Sequence, residues 1–463
     1  MKRFFLNRVI LLSAAVAVYT GYAGSYSNPV LERGADPYCY RASDGTYYMV
    51  ITGLGFFSST NLVDWTSLGR LKINGTWGKY DFWAPEFIEY RGRFYLFYCA
   101  RKVKDGPHFL GVAVSDRPEG PYQAEPEPLT EISPSIDPHV FIDDDRKVYL
   151  YWSEKGIGVD HRAINGCELS RDLKRLRGEP RMLIYSEQKW EFGRKWEGKG
   201  WNEGPFMLKH DGLYYLMYSA NLYLSPYYGV GYAVSTHPLG RFNKFKKWEN
   251  NPILSREGCE KYISGPGHHS VVASPDGKEL FAVYHKHVSP GETERHICID
   301  RMGFREDGTM YVNGPTVTPQ PMPSGADGIS NVAPDADVQV LSGGSEASAR
   351  FLTDGEFSIH QRLADREWRP RGLPASVRLE WKQSPEISEV FIYGSGHPDR
   401  QVRSVSVLLS DGTVFDDLTF PGIPGGAASV SFSSRPVSWL EIRLDQENRG
   451  QLPALSEIMV RGR

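Results

Sequence analysis

Five short apolar runs rich in aromatic residues set the rhythm of the chain: Tyr47-Tyr48-Met49-Val50, Phe94-Tyr95-Leu96-Phe97-Tyr98, Val148-Tyr149-Leu150-Tyr151-Trp152, Tyr214-Tyr215-Leu216-Met217-Tyr218 and Leu280-Phe281-Ala282-Val283-Tyr284. Each is too short for a helix and has the residue types that favour strands. Polar turns such as Ser43-Asp44-Gly45, Arg91-Gly92 and Pro275-Asp276-Gly277 lead into them. Upstream of each run lies a short motif: Asp36-Pro37, Trp83-Ala84-Pro85, Asp137-Pro138, Glu203-Gly204-Pro205 and Gly267-His268-His269. Strand-only self-similarity at roughly 45 to 65 residues predicts propeller blades. The expected fold is all-β, a five-bladed β-propeller over residues 24–325. In this reading the five motifs occupy one equivalent place at the start of equivalent strands, and three of them carry a carboxylate there.

Between these landmarks the pattern is less regular. Residues 24–35 read as an extended lead-in. Blade one is expected to close with an outer strand at Leu62-Val63-Asp64-Trp65. The acidic run Asp143-Asp144-Asp145 lacks the Gly and distal Glu of a calcium-binding EF-hand loop and reads as an Asx-rich hairpin. Residues 170–200 are charged and read as an irregular loop carrying Trp190 and Trp196, with Trp201 just beyond, a candidate cover for a cavity mouth. From about Asn331 the composition changes. Alternating runs such as Val377-Arg378-Leu379-Glu380-Trp381 and Glu389-Val390-Phe391-Ile392-Tyr393 predict a β-sandwich (jelly-roll) over residues 331–463.

Composition narrows the function classes. The 463 residues carry a net charge of −3, so no electrostatic case exists for nucleic acid or an anionic surface. Lys2, Arg3 and Arg8, the apolar run Val9 to Val18 and Gly21-Tyr22-Ala23 read as a signal peptide over residues 1–23, predicting a secreted or periplasmic protein without a membrane span. Five cysteines without CxxC spacing predict neither zinc nor an essential disulfide. Nothing in the pattern calls for a partner chain, and a monomer is expected.

The chemistry follows from convergence. A propeller axis brings equivalent strand starts within about 10 Å of one another. Asp36, Asp137 and Glu203 would then share one pocket, where crowded carboxyls cannot all ionise at their ordinary values. One stays protonated and can donate; another stays charged and can accept, which is what glycoside cleavage needs. Any one of these motifs alone is equally a turn or a cap.

As an ordered set, Ala35-Asp36-Pro37, Phe82-Trp83-Ala84-Pro85-Glu86, Ser135-Ile136-Asp137-Pro138, Asn202-Glu203-Gly204-Pro205 and Gly265-Pro266-Gly267-His268-His269-Ser270 resemble glycoside hydrolase family 43, five-bladed propellers acting on arabinose- and xylose-containing polysaccharides. The resemblance implies Asp36 as general base, Glu203 as general acid and Asp137 as the residue tuning that acid. It further implies inversion, with the two working carboxyls roughly 6.5–9.5 Å apart. No cofactor is required. His268 matches an axial histidine that approaches a central cation, calcium by preference, through water; a histidine bonded to neighbouring backbone is the alternative. Trp83 matches a sugar platform, against a plain core tryptophan. Arg295 is a candidate sugar ligand or a blade-edge salt bridge, and Trp201 a candidate pocket wall. The tail pieces Leu352-Thr353-Asp354-Gly355, Leu409-Ser410-Asp411-Gly412 and Leu455-Ser456-Glu457-Ile458 resemble a discoidin-like (coagulation-factor type-C, galactose-binding-like) domain, a sugar-binding module or a buttress. The expected activity is hydrolysis of terminal glycosidic bonds in plant-type polysaccharides or oligosaccharides, as an α-L-arabinofuranosidase or β-xylosidase. The rivals are a galactoside- or galactofuranoside-specific member of the same family and a non-catalytic sugar-binding propeller.

Overall fold

The computed structural model describes residues 24–130, 133–155, 162–193, 200–245, 247, 250–289, 292–357, 359, 366–445 and 451–463. The expected signal peptide and Trp196 lie outside them.

Five antiparallel sheets follow one another along the chain. Their first strands are Tyr38–Arg41, Tyr80–Tyr90, Ser135–Ile142, Asn202–His210 and Gly267–Ala273, in blades one to five. Each first strand packs against the next, and that of blade five packs against that of blade one, which closes the ring. The aromatic runs are the second strands. Their rings sit between blades: Tyr98, Tyr151, Tyr215, Tyr218 and Tyr284 are fully buried. Each such ring withdraws on the order of 150–250 Å² from water, at most about 4–6 kcal/mol before ordering entropy is charged. The lead-in locks the closure. Ser25–Tyr26 pairs with Gln320–Pro321, and Asn28 bonds Ile299 and Thr316.

Two sequence expectations fail for one physical reason. The outer strand of blade one is Thr66–Arg70, not Leu62–Trp65, and it is exposed at every position. Leu62–Trp65 is instead a turn stitched by Asn61 Oδ1, which accepts the amides of Val63 and Asp64. Likewise 170–200 is not one irregular loop: Leu176–Tyr185 is the outer strand of blade three, exposed along most of its length. These two outer strands are exposed along most of their length, so they carry no apolar alternation to read.

The C-terminal residues form a four-stranded and a five-stranded antiparallel sheet. Their inward residues, among them Val377, Leu379, Val390, Ile392, Ile442, Val460 and the fully buried Trp368, share one core. This region is joined tightly to the propeller. Cys259 and Ile263, between blades four and five, pack with Phe391, Tyr393 and Met459. Arg461, 2% exposed, donates to Met322 O at 2.8 Å and Asp327 at 2.6 Å. All five cysteines are buried and free.

Candidate active site

The first strand of every blade opens with the same distortion. Residues 203 and 206 pair with 219 and 217 of the neighbouring strand, so two residues on one side face one on the other. The same bulge occurs at Trp83/Glu86, Ile136/His139 and Gly267/Ser270. In blade one, Thr52 N bonds Ala35 O before regular pairing resumes at Tyr38. The bulged residue is left-handed each time: Asp36 (φ 54°), Ala84 (37°), Asp137 (58°), Gly204 (55°) and His268 (48°). For a non-glycine residue that conformation costs about 1–2 kcal/mol.

What offsets the strain is a hydrogen bond to the preceding blade. The amide of Asp36 donates to His285 Nδ1 (3.2 Å), that of Ala84 to Thr52 Oγ1 (2.8 Å) and that of His268 to Ser219 Oγ (2.8 Å). The Asp137 amide meets the Cys99 thiol. Gly204 differs: its amide donates to the carboxylate of Asp137 at 3.0 Å. Ser153, at the corresponding place in blade three, instead donates to Asn202 O at 2.8 Å.

This register corrects the single shared address. Asp36, Ala84, Asp137, Gly204 and His268 are equivalent; Glu203 stands one residue earlier, in the place of Ala35, Trp83, Ile136 and Gly267. The axial cavity is accordingly lined by Asp36, Asp137 and His268, but not by the Glu203 side chain. At about 20 Å³ it has room for roughly one water. Glu203 and Trp83 flank the axis from the neighbouring position.

Asp36 is 9% exposed and heavily engaged. Thr52 Oγ1 donates to its Oδ2 at 2.6 Å. Arg295 Nη1 lies 3.0 Å from Oδ1, and the Nδ1 atoms of His268 and His285 each lie 3.3 Å from it. Burial alone would raise this carboxyl; Arg295 and then His268 overcome it and hold Asp36 well below the ordinary carboxylate range. His285 accepts the Asp36 amide through Nδ1, and burial pushes it down to about 3, so it is neutral.

The other two acids move the opposite way. Burial, then the charge of Asp36, pushes Asp137 up to about 7. Burial, then the charge of Asp137, pushes Glu203 up to about 7. Tyr228 OH donates to Glu203 Oε1 at 2.8 Å, and Trp201 Nε1 donates to Oε2. The Tyr228 ring stacks on His285 with centroids 5.7 Å apart, so the partner of one acid rests on the partner of the other.

The remaining sequence candidates fall around these three. Trp83 is 37% exposed, which rules out a core role. Its ring lies over His108, 4.0 Å between centroids, with the Arg101 guanidinium 5.4 Å away. Arg295 is engaged with Asp36 rather than at a blade edge, and its guanidinium lies over the Tyr223 ring at 5.1 Å. Trp201 stands beside Glu203 with Arg162 over its ring at 4.7 Å. Among the described residues no three His, Cys, Asp or Glu side chains converge to hold a metal. The donor set at His268 therefore fits only a hydrated ion reached through water, and no step below uses one. Thr52, Ser219, Tyr228 and His285 escaped the sequence reading. Only the bulge register reveals them, apart from Tyr228, which enters from a loop.

Residues 26–310, more than half of the chain, match Glycosyl hydrolases family 43, and residues 331–460 match a domain of unknown function (DUF7402). A β-D-galactofuranosidase, xynD, of Aspergillus niger is 30% identical over 308 residues, covering 62% of this chain and 82% of its own. An extracellular exo-α-(1→5)-L-arabinofuranosidase of Streptomyces avermitilis is 24% identical over 377 residues, covering 73% and 74%. The crystal structure of a thermostable family-43 glycoside hydrolase superposes with a TM-score of 0.59 at 42% identity, covering 64% of this chain and 99% of that one. An endo-1,4-β-xylanase of Bacteroides thetaiotaomicron superposes with a TM-score of 0.55 at 31% identity, covering 63% and 98%. The chain belongs to glycosyl hydrolase family 43 and is a glycoside hydrolase.

Proposed function

We propose that this hydrolase cleaves a terminal sugar with inversion, Asp36 activating water as general base and Glu203 protonating the leaving oxygen as general acid. The observation that carries the reading is the opposite displacement of two carboxyls, Asp36 and Glu203. Asp36 is kept charged by Arg295 and His268, while Glu203 is kept protonated up to about pH 7 by burial and by Asp137. A charged base and a protonated acid therefore coexist over the same pH window. Blades one and four are not adjacent in the ring of five, which suits an inverting pair with water between its members. Asp137 acts through Glu203: it raises the acid electrostatically and fixes the following residue by accepting the Gly204 amide. The reaction needs no cofactor. A hydrated calcium ion on the axis would be held through water by His268, which lines the axial cavity.

The axial cavity is too small for a sugar ring, so substrate enters from one face, and we read the action as exo. Terminal α-L-arabinofuranose or β-xylose is our first choice of sugar, supported by the arabinofuranosidase and xylosidase relatives. The Aspergillus niger relative favours a second reading, a galactofuranoside. We read residues 331–463 as a β-sandwich of discoidin-like type. The protein is read as an exported monomer: three relatives are named as extracellular, and no helix among the described residues is long and apolar enough to cross a membrane. The test is turnover of p-nitrophenyl α-L-arabinofuranoside, β-D-xyloside and β-D-galactofuranoside by wild type and Glu203→Gln. One substrate turned over by wild type, with activity lost in the variant, is expected. Sugar binding without turnover of any substrate would make the propeller a binding module.

A further inference from the structure

A second ionic centre lies directly behind the acid and takes no part in the chemistry above. Lys244 and Glu191 are both 0% exposed, with Nζ and Oε1 2.5 Å apart. A pair this deep forfeits hydration that its mutual attraction does not reliably return, so apolar replacements are often as stable or more so. Its bonding indicates what it is for. Lys244 Nζ also donates to Tyr185 O (2.6 Å) and to Asn202 Oδ1 (3.2 Å), and lies 4.4 Å from the centre of the Tyr218 ring. Asn202 Nδ2 in turn donates to Glu191 Oε1 (3.4 Å). The side-chain amide of Asn202 is thus gripped at both ends by the two charges, and the Asn202 backbone carbonyl accepts from Ser153. Asn202 is the residue before Glu203.

The same pair sets the wall on that side. Glu191 Oε2 accepts the amides of Glu187 and Gln188, each at 2.6 Å, and Gln188 Nε2 returns to Lys244 O. Two residues on, the Gly193 amide donates to Asn221 Oδ1 at 2.6 Å. The Asn221 amide donates to Trp201 O, and its Nδ2 to Tyr227 O. The two groups that hold the Glu203 carboxyl, Trp201 and Tyr228, therefore sit on backbone tied to the segment that the ion pair organises.

We propose that the buried Lys244–Glu191 pair is a positioning device for the general acid, fixing Asn202 and thereby the direction in which Glu203 presents its proton. The inference rests on Glu203 being that acid. It predicts a loss confined to the step that needs a proton. Alkoxide leaving groups require protonation; 2,4-dinitrophenolate does not. A misplacement on the order of 1 Å costs up to about a hundredfold in a step that depends on alignment.

The experiment compares kcat/KM for an alkyl glycoside and a 2,4-dinitrophenyl glycoside of the preferred sugar. The enzymes are wild type, Glu203→Gln, Lys244→Met/Glu191→Gln and Asn202→Ala, all full-length. The double variant removes both charges together, so no unpaired ion is left buried. Asn202→Ala leaves the pair intact and removes only what it grips. Glu203→Gln should lose the alkyl substrate and keep the activated one; if both fall together, the acid assignment fails and this inference with it. Given that control, both positioning variants should lose roughly 10- to 100-fold on the alkyl substrate. They should change by less than about 3-fold on the dinitrophenyl substrate, with KM for it unmoved. Equal losses on both substrates, no loss on either, or failure of both variants to fold would make the pair purely structural and overturn the proposal.

Discussion

Replacing Arg295 with Met separates holding Asp36 charged from binding the sugar. The change removes the guanidinium 3.0 Å from Asp36 Oδ1 and keeps an apolar stem to lie against Tyr223. An opposite charge at such a distance shifts a carboxyl by about 1–3 pH units, at about 1.4 kcal/mol per unit. His268, His285 and Thr52 remain in place, so the lower part of that range, about 1–2 units, is expected. The sign is fixed by the role. A base works only when ionised, so activity is lost as pH falls through its pKa. In the wild-type enzyme that loss lies well below the ordinary carboxylate value of 3.8. Without Arg295 the acidic limb of kcat/KM moves up by about 1–2 units. Arg295 is not among the groups that set Glu203, so the basic limb should remain near 7. At pH 6 the variant should match wild type within about threefold, and it should lose activity at acidic pH where the wild-type enzyme is still fully active. The assay is kcat/KM on the best p-nitrophenyl glycoside across that range, with circular dichroism at each pH to confirm folding. An unmoved acidic limb with KM raised equally at every pH would refute the reasoning and make Arg295 a sugar ligand.

Three further perturbations bear on the same site. Tyr228→Phe deletes a donor to Glu203 that lowers its pKa; the basic limb should therefore move to higher pH, with kcat reduced about tenfold. Asp137→Asn should stabilise the fold in a pH-dependent way. The folded carboxyl, near 7, sits above its unfolded value of 3.8, so folding is penalised progressively between these values and fully above 7. Thermal unfolding should show a gain of about 1–3 kcal/mol at pH 8 and none at pH 3.5, while kcat falls; an equal gain at both would contradict the burial of a charge. Trp83→Ala should raise KM about 2- to 12-fold, the worth of one aromatic contact, without moving either pH limb. A fall in kcat alone would remove Trp83 from the sugar site.

The parts of the fold legible in the sequence are those that repeat with a buried face. Tyr98, Tyr151, Tyr218 and Tyr284 lie in runs whose rings must be covered, and the five runs are the five second strands. Thr66–Arg70 and most of Leu176–Tyr185 are exposed, so nothing in their composition distinguishes strand from loop. The acids were legible as residue types before proline, but not their register. Asp36 and Asp137 occupy the left-handed bulge position, whereas in blade four that position is Gly204 and Glu203 precedes it. A one-residue offset turns a side chain to the other face of a strand, and it separates an acid flanking the axis from one lining it. Thr52, Ser219 and His285 were invisible because they matter through amides stranded by the bulges of the next blade. The Lys244–Glu191 pair spans 53 residues, with no local pattern to announce it.

The account stands or falls on Asp36 and Glu203 acting as a water-activating base and a proton donor, with no covalent sugar intermediate. Proton NMR of the first product released, followed before mutarotation erases the record, reads this directly. The first-formed sugar should carry the anomeric configuration opposite to the substrate's. Release with the starting configuration would contradict it.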